Sequence, residues 1–161
     1  MRILGIDPGT GILGFGVIET VDQKLDFLDG GVIRTPANQE AAIRLETIFD
    51  ELTTVIAQTK PEAMAVEKLF FAQNITTAMS VSQARGVILL CGRQAGLKIF
   101  EYTPLQIKQS LTGYGRATKK QVQEMVRVIL HLREVPEPDD CADALAAAIC
   151  HSMVVRHNKT L

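Results

Sequence analysis

The apolar pattern of this chain changes period at Pro36, and that change restricts the fold more than any other feature. Before it, Arg2–Asp7 is a short β-branched run ending in the turn sequence Asp7-Pro8-Gly9-Thr10-Gly11, and residues 12–20 and 25–34 alternate or run apolar around a polar turn at Asp22-Gln23-Lys24. That spacing predicts a three-strand antiparallel meander. After it, Ala41, Leu45, Ile48, Leu52 and Ile56 fall at helical steps up to Pro61. Residues 62–69 then read as a buried strand, 74–94 as a long helix and 97–102 as another strand. Thr103-Pro104 is an N-cap with proline at the first helical position, Thr118-x-x-Gln121 is a capping box, and a last helix runs from about Asp139 toward His157. Helix-linked strands after a meander predict an α/β domain over residues 1–161, with a mixed sheet covered by helices on both faces.

Composition narrows the class further. The chain has 161 residues, 47% of them hydrophobic and 22% charged, a balance that excludes disorder as the main state. A chain of this length buries roughly 70% of its unfolded surface and needs no disulfides. The longest apolar run, Val87–Cys91, is too short to span a bilayer, and Asp7-Pro8 interrupts the apolar stretch a signal peptide requires. Three cysteines at no metal spacing point to a reduced, cytoplasmic protein. The net charge of −1 conceals a segregation: −5 over residues 1–84, +7 over 85–133 and −3 over 134–161. A polyanionic partner is therefore compatible with a near-neutral chain.

Gly9-x-Gly11-x-x-Gly14 matches the dinucleotide pattern, but residues 12–18 read as a strand, whereas that fingerprint needs a helix there. Phe15 stands where a phosphate-loop lysine would follow Gly14. The Asp7–Gly11 stretch also resembles the phosphate loop of actin-like sugar kinases, which need two such domains.

Asp7 is an acid at the end of the first strand, and Glu67 sits at the end of the next apolar strand. If the strands are parallel neighbours, both side chains leave the same sheet edge. Asp140 and Asp143 share one face at the start of the last helix. Asp139 suits simple dipole complementation, but Asp143 is embedded among alanines and needs an opposing charge. Four carboxylates without a histidine or cysteine cluster are hard oxygen ligands suited to Mg²⁺, with Mn²⁺ as substitute. Two such ions, about 3.5–4 Å apart, could act on a phosphodiester. Lys108, Arg116, Lys119 and Lys120 would neutralise the flanking phosphates, and one of Phe70-Phe71 could stack on an unpaired base. His151 reads as a surface or packing residue. The 74–94 helix is apolar on most sides in its second half, and a two-fold partner is its simplest cover.

Gly5-Ile6-Asp7-Pro8-Gly9, Val66-Glu67-Lys68-Leu69-Phe70, Gln83-Ala84-Arg85-Gly86 and Asp140-Cys141-Ala142-Asp143-Ala144-Leu145-Ala146 together resemble, in order and over nearly the whole chain, the RuvC family of bacterial Holliday-junction resolvases. The resemblance implies a ribonuclease-H-like five-stranded sheet, a homodimer, and Mg²⁺-dependent paired nicking of like-polarity strands at four-way DNA junctions. The nicks would carry 5′-phosphate and 3′-hydroxyl ends. It implies Asp7, Glu67, Asp140 and Asp143 as the acidic site, Asp140 serving as ligand or as water-orienting base. Phe70 would lie near the junction centre, and Lys108, Lys119 and Arg85 would join the DNA-contacting set. A nucleoid-associated location, a branch-migration motor and a junction-binding protein are implied only by the family. Two rival readings are a non-catalytic junction-binding module and a related nuclease acting on RNA.

Overall fold

A computed structural model describes residues 1–22, 24–69 and 75–159, with backbone alone at 75, 76 and 159. Its elements follow the expected order: β1 (Arg2–Asp7), β2 (Ile12–Val21), β3 (Lys24–Arg34), α1 (Ala41–Thr59), β4 (Ala63–Glu67), α2 (Ile75–Gln94), β5 (Lys98–Tyr102), α3 (Pro104–Thr112), α4 (Lys119–Ile129) and α5 (Asp139–Lys159). The strands form one sheet in the order β3-β2-β1-β4-β5. β1–β2 and β2–β3 are antiparallel, and β1–β4 and β4–β5 are parallel. This is the mixed five-stranded sheet the sequence predicts.

The boundaries have local causes. α1 closes at Lys60, which turns left-handed (φ 49°) and returns its N–H to the Ile56 carbonyl; Pro61 follows that stop rather than making it. Both expected caps form. Thr103 and Thr118 each accept from the backbone three residues on, and Gln106 and Gln121 accept from the cap N–H groups in return. The fourth strand is shorter than the expected 62–69: its pairing with β5 runs out at Glu67 and Tyr102, where the Lys68 N–H makes a last bond to the Tyr102 carbonyl.

Alternation along the central strands separates two cores. Ile3 and Ala65 face a cluster built with α3, α4 and α5, while Leu4, Ile6, Met64 and Val66 face one built with α1 and α2. α5 is the most enclosed helix, with Cys141, Ala142 and Ala144–Ser152 all buried. It lies directly against backbone. A Cβ at Gly5 would collide with the Ala144 carbonyl and come within 2.9 Å of the Ala148 nitrogen; one at Gly16 would meet Leu145 at 2.5 Å. One at Gly14 would strike the carbonyl of Asp140. Glycine in the strands and alanine on the helix thus let α5 approach the sheet closely, which carries its acidic first turn to the ends of β1 and β2.

His151 is buried and bonded to the Tyr102 hydroxyl (2.7 Å), consistent with the packing role expected of it. The three cysteines are free and buried. α2 covers the second core with Ala84, Ile88 and Cys91, yet Met79 and Leu90 remain 64% and 52% exposed. Among the described residues, no helix is long and apolar enough to cross a membrane.

Candidate active site

β1 and β4 run parallel, with Ile6 level with Val66 at the last paired step. Asp7 and Glu67 come next on each strand, so both carboxylates leave the same sheet edge. By alternation they share the face of Ile3 and Ala65, the face on which α5 lies. Asp140 and Asp143 approach them from the first two turns of that helix. Asp7, Glu67, Asp140 and Asp143 are all partly buried.

The electrostatics record this convergence. Burial, followed by the charges of Glu67, Asp143 and Asp140, pushes the Asp7 carboxyl up from 3.8 to about 8. Burial and then Asp143 push Glu67 up from 4.5 to about 7. Asp143 is also raised, chiefly by burial, against the pull of Lys119. Three acids that resist ionisation at one place form a site short of positive charge.

Lys119 supplies part of that charge. Its Nζ lies 2.9 Å from Asp143 Oδ2 and 3.4 Å from Asp139 Oδ2, and these bonds raise its own pKa. It is the opposing charge that the alanine-rich setting of Asp143 requires. Of the two adjacent lysines, Lys119 meets the carboxylates, and Lys120 is exposed beside it. Lys108 lowers the pKa of Glu67 from α3. Glu67, Lys108, Lys119 and Asp143 together line a cleft of about 230 Å³, floored by Ile107, Val122 and Ala146.

The other expected contacts lie elsewhere. Arg116 is exposed in the loop before α4. Arg85 is ion-paired with Glu101, joining α2 to the edge strand β5 away from the cleft. Phe70 and Phe71 lie outside the described residues. Sequence reading missed Gly5, Gly14 and Gly16, whose absent side chains seat α5. The only signal was glycine recurring inside otherwise apolar strands.

Among the described residues, no three His, Cys, Asp or Glu side chains stand as a closed set able to hold a metal ion. The donor chemistry nonetheless fits a hard divalent cation. The candidate ligands are all carboxylates, the two on the sheet are held above their ordinary pKa by burial and by neighbouring carboxylates, and a 2+ charge would relieve both. Asp7, Glu67, Asp140 and Asp143 are the residues that could hold it.

Comparison with known proteins identifies the family. Residues 3–151 match the family model for crossover junction endodeoxyribonuclease RuvC. The chain is 57% identical over 155 residues to the RuvC of Heliobacterium modesticaldum, covering 95% of this chain and 96% of that protein. It is 54% identical over 159 residues to that of Halothermothrix orenii, covering 99% and 96%. A structure of Thermus thermophilus RuvC in complex with a Holliday junction substrate superposes with a TM-score of 0.93 at 39% identity, covering 98% of this chain and 96% of that one. The yeast mitochondrial resolvase Ydc2, at 12% identity and a TM-score of 0.74, shares the fold. With the family model matching residues 3–151 and relatives above 50% identity along nearly its whole length, the chain belongs to the RuvC family of crossover junction endodeoxyribonucleases.

Proposed function

We infer that this protein is an endodeoxyribonuclease that resolves four-way (Holliday) DNA junctions in recombination and repair, using the carboxylates at the ends of β1, β4 and the start of α5. The observation that carries the reading is the electrostatic one: Asp7, Glu67 and Asp143, partly buried and mutually repelling, share a site with Lys119 and Lys108. Such a site binds a cation against a phosphate and serves poorly as structural filler.

Asp7, Glu67, Asp140 and Asp143 would hold Mg²⁺, two ions per site, which when bound neutralise charge on the phosphodiester and favour attack by water. The remaining roles belong to the chain. Lys119, anchored on Asp143 and Asp139, favours the ionised form of Asp143 and presents positive charge to the backbone being cut. Lys108, lining the same cleft, favours the ionised form of Glu67 and adds a second positive charge. Arg116 and Lys120, exposed beside it, extend the basic surface to flanking phosphates. Products with 5′-phosphate and 3′-hydroxyl ends follow from attack opposite the 3′ oxygen.

The exposed Met79 and Leu90 on α2 would be covered by a second copy of the chain. Two-fold symmetry then presents two clefts to one symmetric junction, which is the physical link between dimerisation and paired cuts. The setting is a single nuclease domain working in the bacterial cytoplasm on chromosomal DNA, alongside a branch-migration motor and a junction-binding protein. Phe70 and Arg85 remain candidates for contacts nearer the junction centre.

A synthetic junction with all four arms end-labelled tests the reading. Paired nicks that require Mg²⁺ and vanish in Asp143→Asn are the expected result. A mobility shift without nicks would instead identify a binding module, and equal cleavage of an RNA hairpin an RNA nuclease.

A further inference from the structure

The loop that leaves Asp7 is held by a chain of hydrogen bonds that nuclease chemistry does not by itself require. Thr10 Oγ1 donates to Ser80 Oγ on α2 (3.1 Å), and Ser80 donates in turn to the Thr77 carbonyl (3.0 Å). The Thr35 N–H donates to the Gly11 carbonyl (3.0 Å), and the buried Thr35 hydroxyl donates to the Thr10 carbonyl. Onto that hydroxyl Arg44 lays its Nε (2.9 Å). Its Nη2 lies 3.6 Å from where a Cβ on the exposed Gly11 would stand, so the guanidinium extends along the open flank of the loop.

Two features set this arginine apart. Among the described residues no carboxylate pairs with it, although the surrounding first half of the chain carries a net charge of −5. Its Nε is also fixed by a buried hydroxyl, so the terminal nitrogens are oriented before any ligand arrives. A preorganised, unpaired guanidinium fork beside a glycine loop matches the geometry of a phosphate group. Position adds to this. The start of β2, the end of β3 and the start of α1 meet at the sheet edge where Asp7 ends β1. Arg44 therefore stands on the β2–β3 side of the carboxylates, and Lys108 and Lys119 on the α3–α4 side.

We propose that Arg44, fixed by Thr35, binds a backbone phosphate of the DNA strand on the side of the acidic cleft opposite Lys108 and Lys119. This rests on the nuclease reading above and adds a contact on its second flank. The same strand is thereby gripped on both sides of the scissile bond.

Junction affinity measured without divalent metal, as a function of salt, tests the assignment. Arg44→Gln removes the charge while keeping a polar group in reach of Thr35. It should weaken binding roughly 5- to 10-fold near 0.1 M salt and lower the slope of log K against log salt by about 0.9, one phosphate's share. Arg44→Lys should restore that slope, and Thr35→Val should weaken binding with the slope unchanged. Melting curves on each variant separate binding from folding. Wild-type affinity and slope in Arg44→Gln would overturn the proposal, as would a loss seen only as a lowered melting temperature. Wild-type protein that fails to cut the junction in Mg²⁺ would refute the nuclease reading instead, whatever the Arg44 variants do.

Discussion

Replacing Asp7 by asparagine should stabilise the metal-free protein while abolishing cleavage. The carboxyl is raised from 3.8 to about 8 in the fold, so it keeps its proton there long after the unfolded chain has lost it. A group with a raised folded value destabilises the native state progressively as pH climbs. The penalty is absent below the unfolded value and complete above the folded one, with a slope of at most about 1.4 kcal/mol per pH unit. Between pH 6 and pH 8 that slope amounts to a ceiling of roughly 2.5 kcal/mol. The asparagine side chain escapes the penalty, and the loss of one charge also eases Glu67 and Asp143. The measurement is urea unfolding of wild type and Asp7→Asn in chelator at both pH values. The variant should gain about 2 kcal/mol on wild type between pH 6 and pH 8. Titrating groups remote from Asp7, His151 included, cancel in that difference, and the easing of Glu67 and Asp143 adds to it. Saturating Mg²⁺ should then reverse the order at pH 8, because only the wild type has the full ligand set. A difference between the two proteins that is the same at both pH values would refute the reasoning, since it would mean Asp7 is neither buried nor crowded by other acids.

Further outcomes follow from the same geometry. Lys119→Gln should lose most cleavage, and at pH 8 should cost the metal-free protein no more than about 1 kcal/mol, because the lysine is half exposed; nicking rates and melting curves read the two effects separately. Gly5→Ala forces a methyl into the α5 backbone at Ala144, so it should cost about 2–3 kcal/mol in urea unfolding and take junction cleavage with it. His151→Leu leaves the Tyr102 hydroxyl buried without its partner, at about 1–3 kcal/mol. Burial lowers the pKa of His151, so the histidine's own contribution to stability is lost as pH falls through 6.5, and the leucine variant should lack that component.

What could be read from sequence divides along physical lines. Asp7 and Glu67 were legible because each ends an apolar run, and period-2 alternation fixes where a strand-end side chain points. The helix caps at Thr103 and Thr118 were legible because capping depends on residues three apart. Contacts between distant segments were not. Nothing local told Lys119 from Lys120, since the choice depends on how α4 is rotated against the first turn of α5. The Tyr102–His151 bond joins residues 49 apart, and Arg85 finds Glu101 only because α2 lies along β5. The role of the glycines in β1 and β2 shows only in the packing of α5 against them.

The most direct test of the central claim is anomalous diffraction from crystals of the protein soaked in Mn²⁺. A manganese peak shared by the Asp7 and Glu67 carboxylates and an acid of α5, absent in Asp7→Asn, is the expected result. Manganese bound elsewhere, or an empty site in crystals of protein that cuts junctions in the same solution, would contradict it.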